Sequence, residues 1–483
     1  MKKHSILAFC QALVTALLIS ISASALAGEG FGVTPQDSRE FFVDESKLPF
    51  DEFPGLPSQR YWGVFKKAGY RIEIPANWNG DLVMYTHGFR GTGAELTVDN
   101  PPIRTYLLAN GFAWAASSYS TNYYDVRSGV LSTNALARLF AREFGEPRRL
   151  FITGFSMGGH VATAAVELGT PPQCDFAEGS NKQRKCLKAR ERVLAKGTTY
   201  DGAAPFCGVM GDTELFDYFG DFGYTAETLA GWPSQFPPPI SQAEYQVTAL
   251  PFIISQLFAD NGAGFPQFLT ERGEQLKALT REISGGERPT FDLAFPVFQQ
   301  LLFGFTGADG TVDGVLTGNV FDNTQRTYQL DGDPNLNNDE LLLNASIIRI
   351  ARDGGVNRAS RQGLERVPVL TGQIEVPMVS VHTLGDLFVP FSMQQIYANR
   401  VAAAGNSDWL VSRAVRDVGH CSFSPGELIE AFADMVQWVE TGVRPAGDAI
   451  NDAATVAAPD FGCQFTRGDR LAPFVADCSA FAE

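Results

Sequence analysis

The sequence predicts an α/β fold: a doubly wound, mostly parallel sheet interrupted by a large, mostly helical insertion. Three observations carry this. Segments of strand character alternate with segments of helical periodicity over residues 70–205 and again over 373–442. One of those strands, Leu150 to Phe155, runs through a glycine-rich turn straight into a helix. Between Gly208 and Arg366 the alternation stops and aromatic residues crowd in. The expected organisation is a leader at 1–27, a core at 28–207 and 367–445, an insertion at 208–366 and a C-terminal tail at 446–483.

Met1-Lys2-Lys3-His4 is basic, Ile6 to Ile21 is largely apolar, and Ala25-Leu26-Ala27 supplies small residues before a cut ahead of Gly28. Residues 1–27 therefore read as a secretory signal peptide, and the protein is expected to be secreted or periplasmic. The apolar run is too short for a membrane anchor, and no later stretch is long and apolar enough to span a bilayer. Loss of Lys2 and Lys3 leaves 36 basic against 54 acidic groups, a formal charge of −18, which disfavours nucleic acid and anionic membranes as partners. Loss of Cys10 leaves six of the seven cysteines. In an exported chain an even number points to disulfides, with 15 pairings open. Cys174 with Cys186 and Cys463 with Cys478 each close a short loop, which leaves Cys207 with Cys421.

Gly28 to Tyr70 reads as an irregular leader over the domain. Tyr70 to Pro75 and Asp81 to Thr86 read as a hairpin about Asn77-Trp78-Asn79-Gly80, running into the flexible loop His87-Gly88-Phe89-Arg90-Gly91-Thr92-Gly93. A short helix over Thr105 to Asn110, a strand over Ala113 to Ser117 and a helix over Val126 to Phe144, stopped by Gly145, follow. After the Leu150 strand comes a helix over Val161 to Leu168, then a charged excursion over Pro171 to Lys196 and a core strand over Thr198 to Pro205. In the insertion, Leu293 to Phe303 looks helical, and most of the aromatic residues are expected to build its own core, with a few forming one wall of an apolar pocket. Asp331 to Glu340 is rich in oxygen donors, but Leu336 stands where a calcium loop needs glycine, so it reads as a polar turn capping a helix over Asp339 to Ala351. Val376 to Thr383 returns to a buried strand, followed by a helix over Phe391 to Ala404 and a last strand over Trp409 to Val415. Ser424-Pro425-Gly426-Glu427 is a capping box opening a helix over Pro425 to Glu440, which Gly442 ends.

Gly154-Phe155-Ser156-Met157-Gly158 places a serine at the apex of a strand-to-helix turn. Such a turn leaves no room for Cβ atoms two residues either side, and it projects the hydroxyl above the sheet edge. Asp386 follows the Val376 strand and His420 follows the last strand, so the three appear in the order Ser, Asp, His. In that arrangement Ser156 attacks a carbonyl, His420 takes and returns its proton, and Asp386 fixes the imidazole tautomer. The main-chain amides of Met157 and Phe89 are the expected oxyanion donors, and His87 is expected to turn into its loop and hold it. No metal and no cofactor are called for.

On His87-Gly88-Phe89, Gly154 to Gly158, Gly385-Asp386 and Gly419-His420, the chain resembles the serine esterases of the α/β-hydrolase superfamily over residues 70–205 and 373–442. The resemblance implies an α/β-hydrolase fold with a lid and hydrolysis of a small-molecule or polymer ester through an acyl-enzyme. The His420-Cys421 pair is similar to tannase and feruloyl-esterase-like enzymes, in which a cysteine before the serine is bridged to the one after the histidine; here Phe155 occupies the first position. A Cys207–Cys421 bond would clamp the histidine from the neighbouring strand instead. Two other functions compete: a serine peptidase gripping a substrate amine with the insertion's Asp212, Glu214, Asp217 and Asp221, and a catalytically silent binding module. The pattern sets no oligomeric state.

Overall fold

The computed structural model describes residues 39–171, 174, 179–360, 363–468 and 478. The signal peptide expected at 1–27 lies outside the described residues. Among the described residues the strands are β1 (Ser58–Phe65), β2 (Ala68–Pro75), β3 (Asp81–Thr86), β4 (Ala113–Ser117), β5 (Arg149–Phe155), β6 (Gly202–Phe206), β7 (Met378–Thr383) and β8 (Leu410–Val415). The helices are α1 (Arg104–Ala109), α2 (Val126–Phe144), α3 (Met157–Gly169), α4 (Asn181–Lys196), α5 (Glu214–Ala230), α6 (Gln242–Leu257), α7 (Glu271–Ile283), α8 (Phe291–Gly304), α9 (Asn338–Ser346), α10 (Ser392–Ala403), α11 (Pro425–Thr441) and α12 (Ala453–Val456).

All the strands join one sheet in the order β1-β2-β4-β3-β5-β6-β7-β8. β1 and β2 are antiparallel, β2 is antiparallel to β4, and every pair from β4 to β8 is parallel. Every residue of β3, β4, β6 and β7 is buried, as parallel strands covered on both faces must be. On one face Leu136 and Phe140 of α2, Val161 and Val166 of α3 and Tyr397 and Val401 of α10 join the core. On the other, Leu107 and Leu108 of α1 pack with Leu428, Phe432 and Met435 of α11. The sheet is thus doubly wound, in the α/β-hydrolase arrangement, and the carboxyl ends of β5, β7 and β8 share one rim.

Two readings of the amino-terminal part are overturned. The expected hairpin between Tyr70–Pro75 and Asp81–Thr86 does not form, because β4 lies between β2 and β3. β3 is apolar on both faces and takes the sheet centre with two parallel partners, so the link through Asn77 to Gly80 spans the sheet rather than turning a hairpin. The true hairpin is β1 with β2, inside the stretch read as an irregular leader. It turns on Lys66 and Lys67, both left-handed (φ 50° and 69°), a conformation that asparagine-glycine advertises and two lysines do not.

The regular structure between β6 and β7 is helical, α5 to α9, joined by long irregular segments. Its core, including Leu215, Phe222, Tyr245, Phe258, Leu276 and Phe295, runs on without a break into Leu387, Val389, Met393 and Val418. The capping box on α9 uses Asn337 and Glu340, but the helix stops at Ser346 rather than Ala351. Ile347 turns extended (ψ 135°) there, and Ile347 and Ile350 bury beside Tyr224 and Leu279, so tertiary packing overrides helical continuation.

Candidate active site

Ser156 stands between the end of β5 and the first turn of α3, with φ 58° and ψ −125°. That strained backbone is held by its surroundings: the Ser156 amide donates to Phe206 O, and Ser156 O accepts from Gly159 N at 2.9 Å. A Cβ at Gly154 would lie 2.0 Å from Thr86 Oγ1 and 2.3 Å from Gly158 O; one at Gly158 would lie 2.1 Å from Thr86 O. Both glycines are therefore steric requirements of the turn. Thr86 was not legible as a supporting residue: its hydroxyl bonds Gly158 O (2.8 Å) and Thr153 O (3.0 Å), contacts about seventy positions away along the chain.

Asp386 lies in the turn after β7 and is fully buried. Its Oδ1 accepts from the amides of Phe388 (2.9 Å) and Val389 (3.0 Å), which fixes the carboxylate and leaves Oδ2 facing His420. His420 Nδ1 is 2.5 Å from that oxygen, and His420 Nε2 is 2.9 Å from Ser156 Oγ. A carboxylate only accepts, so Nδ1 carries the proton and Nε2 is free to accept from the serine hydroxyl. Ser156 and His420 are each half-buried, so the hydroxyl is within reach of a ligand. The loop before His420 is tied down as well: Thr383 Oγ1 donates to Gly419 O at 2.9 Å and Gly385 N to Asp417 O at 2.8 Å.

The loop expected to supply an oxyanion donor reaches the serine. A Cβ on Gly88 would be 3.3 Å from both Ser156 Cβ and Phe155 O, so only glycine lets that strand end sit against the turn without pressure. Met157 opens α3, and a first-turn amide has no intrahelical acceptor, which leaves its N–H for a ligand. Phe89, next after Gly88, is 44 % exposed, so its side chain is not part of the core. His87 is buried, with Nδ1 2.7 Å from Gly88 O and its ring stacked on Tyr119 at 3.9 Å; burial holds its pKa down at about 4, so it is neutral.

Cys207, at the end of β6, is bonded to Cys421, immediately after His420, and Cys174–Cys186 and Cys463–Cys478 are also disulfides. Cys421 Sγ is 3.4 Å from His420 Nε2. Cys207, His420 and Cys421 bring three potential ligand atoms within 4.8 Å of one another. Because the two sulfurs are bonded to each other, neither is a thiolate, and the group has the wrong chemistry for a metal.

Beside His420, Phe219 of α5, Phe305 after α8 and Phe388 after β7 stand nearly parallel. Centroids are 4.3 Å apart for Phe219–Phe305 and 6.0 Å for Phe305–Phe388. Phe388 meets the His420 ring edge-on at 5.1 Å. All three rings are half-buried. The acidic group at the start of the insertion is engaged elsewhere: Asp212, just before α5, pairs with Arg400, and within α5 Asp217 pairs with Arg352 (3.1 Å), and Asp221 (2.9 Å) and Glu214 (3.5 Å) with Arg326. Burial nonetheless pushes Asp217 up to about 7 and Asp221 to about 6.

No family model matches the chain. It is similar to o-phthalyl amidase from Xanthobacter agilis, with 22 % identity over 447 residues that make up 82 % of this chain and 90 % of the relative. Among solved structures, an esterase from Aspergillus oryzae aligns with a TM-score of 0.39 and 13 % identity, covering 80 % of each chain. Feruloyl esterase B from Aspergillus oryzae aligns with a TM-score of 0.41 and 14 % identity over 87 % of this chain and 89 % of its own.

Proposed function

We propose that the protein is an exported serine hydrolase that cleaves carboxylic esters with an apolar or aromatic acyl part. The observation that carries this is the unbroken hydrogen-bond chain from Asp386 Oδ2 through His420 to Ser156 Oγ. As His420 Nε2 takes the hydroxyl proton, Ser156 Oγ attacks the carbonyl carbon; Asp386 stabilises the imidazolium that forms. The amides of Met157 and Phe89 receive the developing oxyanion, each worth on the order of 3 kcal/mol in comparable sites. His420 then gives the proton to the departing alkoxide, leaving an acyl-enzyme on Ser156. Water, activated by the same imidazole, releases the acid and restores the serine. The parallel rings of Phe219, Phe305 and Phe388 beside His420 support a flat or apolar acyl group. The three disulfides are compatible with export into an oxidising compartment.

Amide hydrolysis is the second reading, favoured by the amidase relative. That relative supports a hydrolase, and the same proton shuttle serves an amine leaving group. A peptidase that grips a substrate ammonium through Asp212, Glu214, Asp217 and Asp221 loses its support, because each of those acids already faces an arginine. A fluorophosphonate probe is expected to label Ser156, with labelling abolished in Ser156→Ala and His420→Ala. Unchanged labelling in Ser156→Ala overturns the mechanism. Matched p-nitrophenyl esters and p-nitroanilides of benzoic, hexanoic and acetic acids separate esterase from amidase.

A further inference from the structure

We infer that the inserted segment supports the acid of the triad: Arg288, between α7 and α8, and Tyr218, on α5, are positioning residues for Asp386. The inference rests on the mechanism above, in which Asp386 acts through His420. Two main-chain carbonyls bracket Asp386, and each is held from the insertion. Leu384 O accepts from Arg288 Nε at 2.6 Å, and Leu387 O accepts from the Tyr218 hydroxyl at 3.0 Å. Both donors are buried. The turn that aims the carboxylate is therefore built partly by β7 and partly by side chains 96 and 169 residues away in sequence.

Arg288 is an unusual choice for a purely structural bolt. Its other nitrogens donate to Gly286 O (2.7 Å) and Ser284 Oγ (3.0 Å), its guanidinium lies 5.1 Å from the centre of the Phe291 ring, and among the described residues it pairs with no carboxylate. A buried cation with only neutral oxygen partners is costly, and an apolar side chain of similar volume would fill the same space at less cost. What the charge adds is a positive field at the turn that carries the buried Asp386. Burial lowers the guanidinium pKa to about 10, opposed by the carboxylates of Glu287, Asp386 and Glu282, so it stays cationic at neutral pH. The segment carrying it is docked as well: Ser392 N at the start of α10 donates to Ser284 O at 3.0 Å, and Gln395 Nε2 to Gly285 O at 3.3 Å. On this side the insertion is a buttress of the catalytic turn rather than a gate.

The test measures kcat and KM on p-nitrophenyl benzoate for Arg288→Gln, Arg288→Lys and Tyr218→Phe, each in the wild-type and in the Asp386→Asn background. In the wild-type background kcat is expected to fall roughly 10- to 100-fold for Arg288→Gln and less for the other two, with KM within about twofold, since misplacement by an ångström costs on that scale. Arg288→Lys keeps the charge and is expected to retain more activity than Arg288→Gln. In the Asp386→Asn background the same changes are expected to cost less than about twofold, because groups that act through one partner are not additive. Equal losses in both backgrounds, or undiminished kcat in all three variants, overturn the inference. Should Arg288→Gln fail to fold, Arg288→Lys and Tyr218→Phe decide it by the same comparison. If Asp386→Asn alone leaves kcat unchanged, the triad itself is refuted and this inference falls with it.

Discussion

Replacing Gly158 by alanine tests the turn that carries Ser156. The added methyl would sit 2.1 Å from Thr86 O and 2.7 Å from His87 O. Carbon and oxygen in non-bonded contact want roughly 3.3 Å or more, so one backbone must move by about 1 Å. Neither moves freely. Thr86 ends β3 in register with Gly154 of β5, and its hydroxyl is bonded to Gly158 O. Overpacking of this kind costs about 1–3 kcal/mol, and a shift of about 1 Å at a reacting group slows chemistry roughly 100-fold. Gly158→Ala is therefore expected to fold, to melt a few degrees lower, and to react with a fluorophosphonate about 100 times more slowly. Gly304→Ala is the control: that glycine ends α8 with nothing within 4 Å of an added Cβ. Alanine there is expected to leave labelling unchanged and to gain up to about 1 kcal/mol from helix propensity. A wild-type labelling rate in folded Gly158→Ala would refute the steric argument.

Three more outcomes are expected. Reducing the Cys207–Cys421 bond, which closes a separation of 214 residues, removes up to about 5 kcal/mol of constraint on the unfolded chain and frees the residue next to His420. Turnover should fall several-fold on mild reduction and recover on reoxidation, whereas alkylation of Cys421 without reductant would contradict the bond. His160 is buried between Tyr124 Oη and Pro368 O, and burial lowers its pKa to about 4. The unfolded chain binds its proton near pH 6.5 and the folded chain only near 4, so this group's stability contribution is present at pH 7 and drains away as pH falls between those values. At pH 5 the wild type should have lost about 2 kcal/mol that His160→Gln never had, narrowing the gap between their melting curves; parallel profiles from pH 7 to 5 would refute this. Finally, Phe219→Ala removes one ring of the stack beside His420 and is expected to raise KM for p-nitrophenyl benzoate about 2- to 10-fold, the worth of one aromatic contact, while leaving p-nitrophenyl acetate unchanged; equal shifts on both esters would refute an aryl contact.

What the sequence determined by itself is what lies close along the chain. The demand for glycine at 154 and 158 follows from a strand-to-helix turn a few residues long, and the structure gives the same reason in distances. Asp386 and His420 were legible although far from Ser156, because each follows a strand of the parallel set, and parallel strands bring their carboxyl ends to one rim. Tertiary structure alone decided the rest. The place of β4 between β2 and β3 depends on which strand can be buried on both faces, and that competition leaves no local mark. The acids from Asp212 to Asp221 looked available because Arg326, Arg352 and Arg400, which pair with them, lie more than a hundred residues further on. Nothing local marks Arg288 as a supporting residue, since a sequence gives charge without depth. Its burial under the Asp386 turn exists only once the insertion has folded onto the sheet, because only then does Leu384 O join Gly286 O and Ser284 Oγ in satisfying a cation away from water.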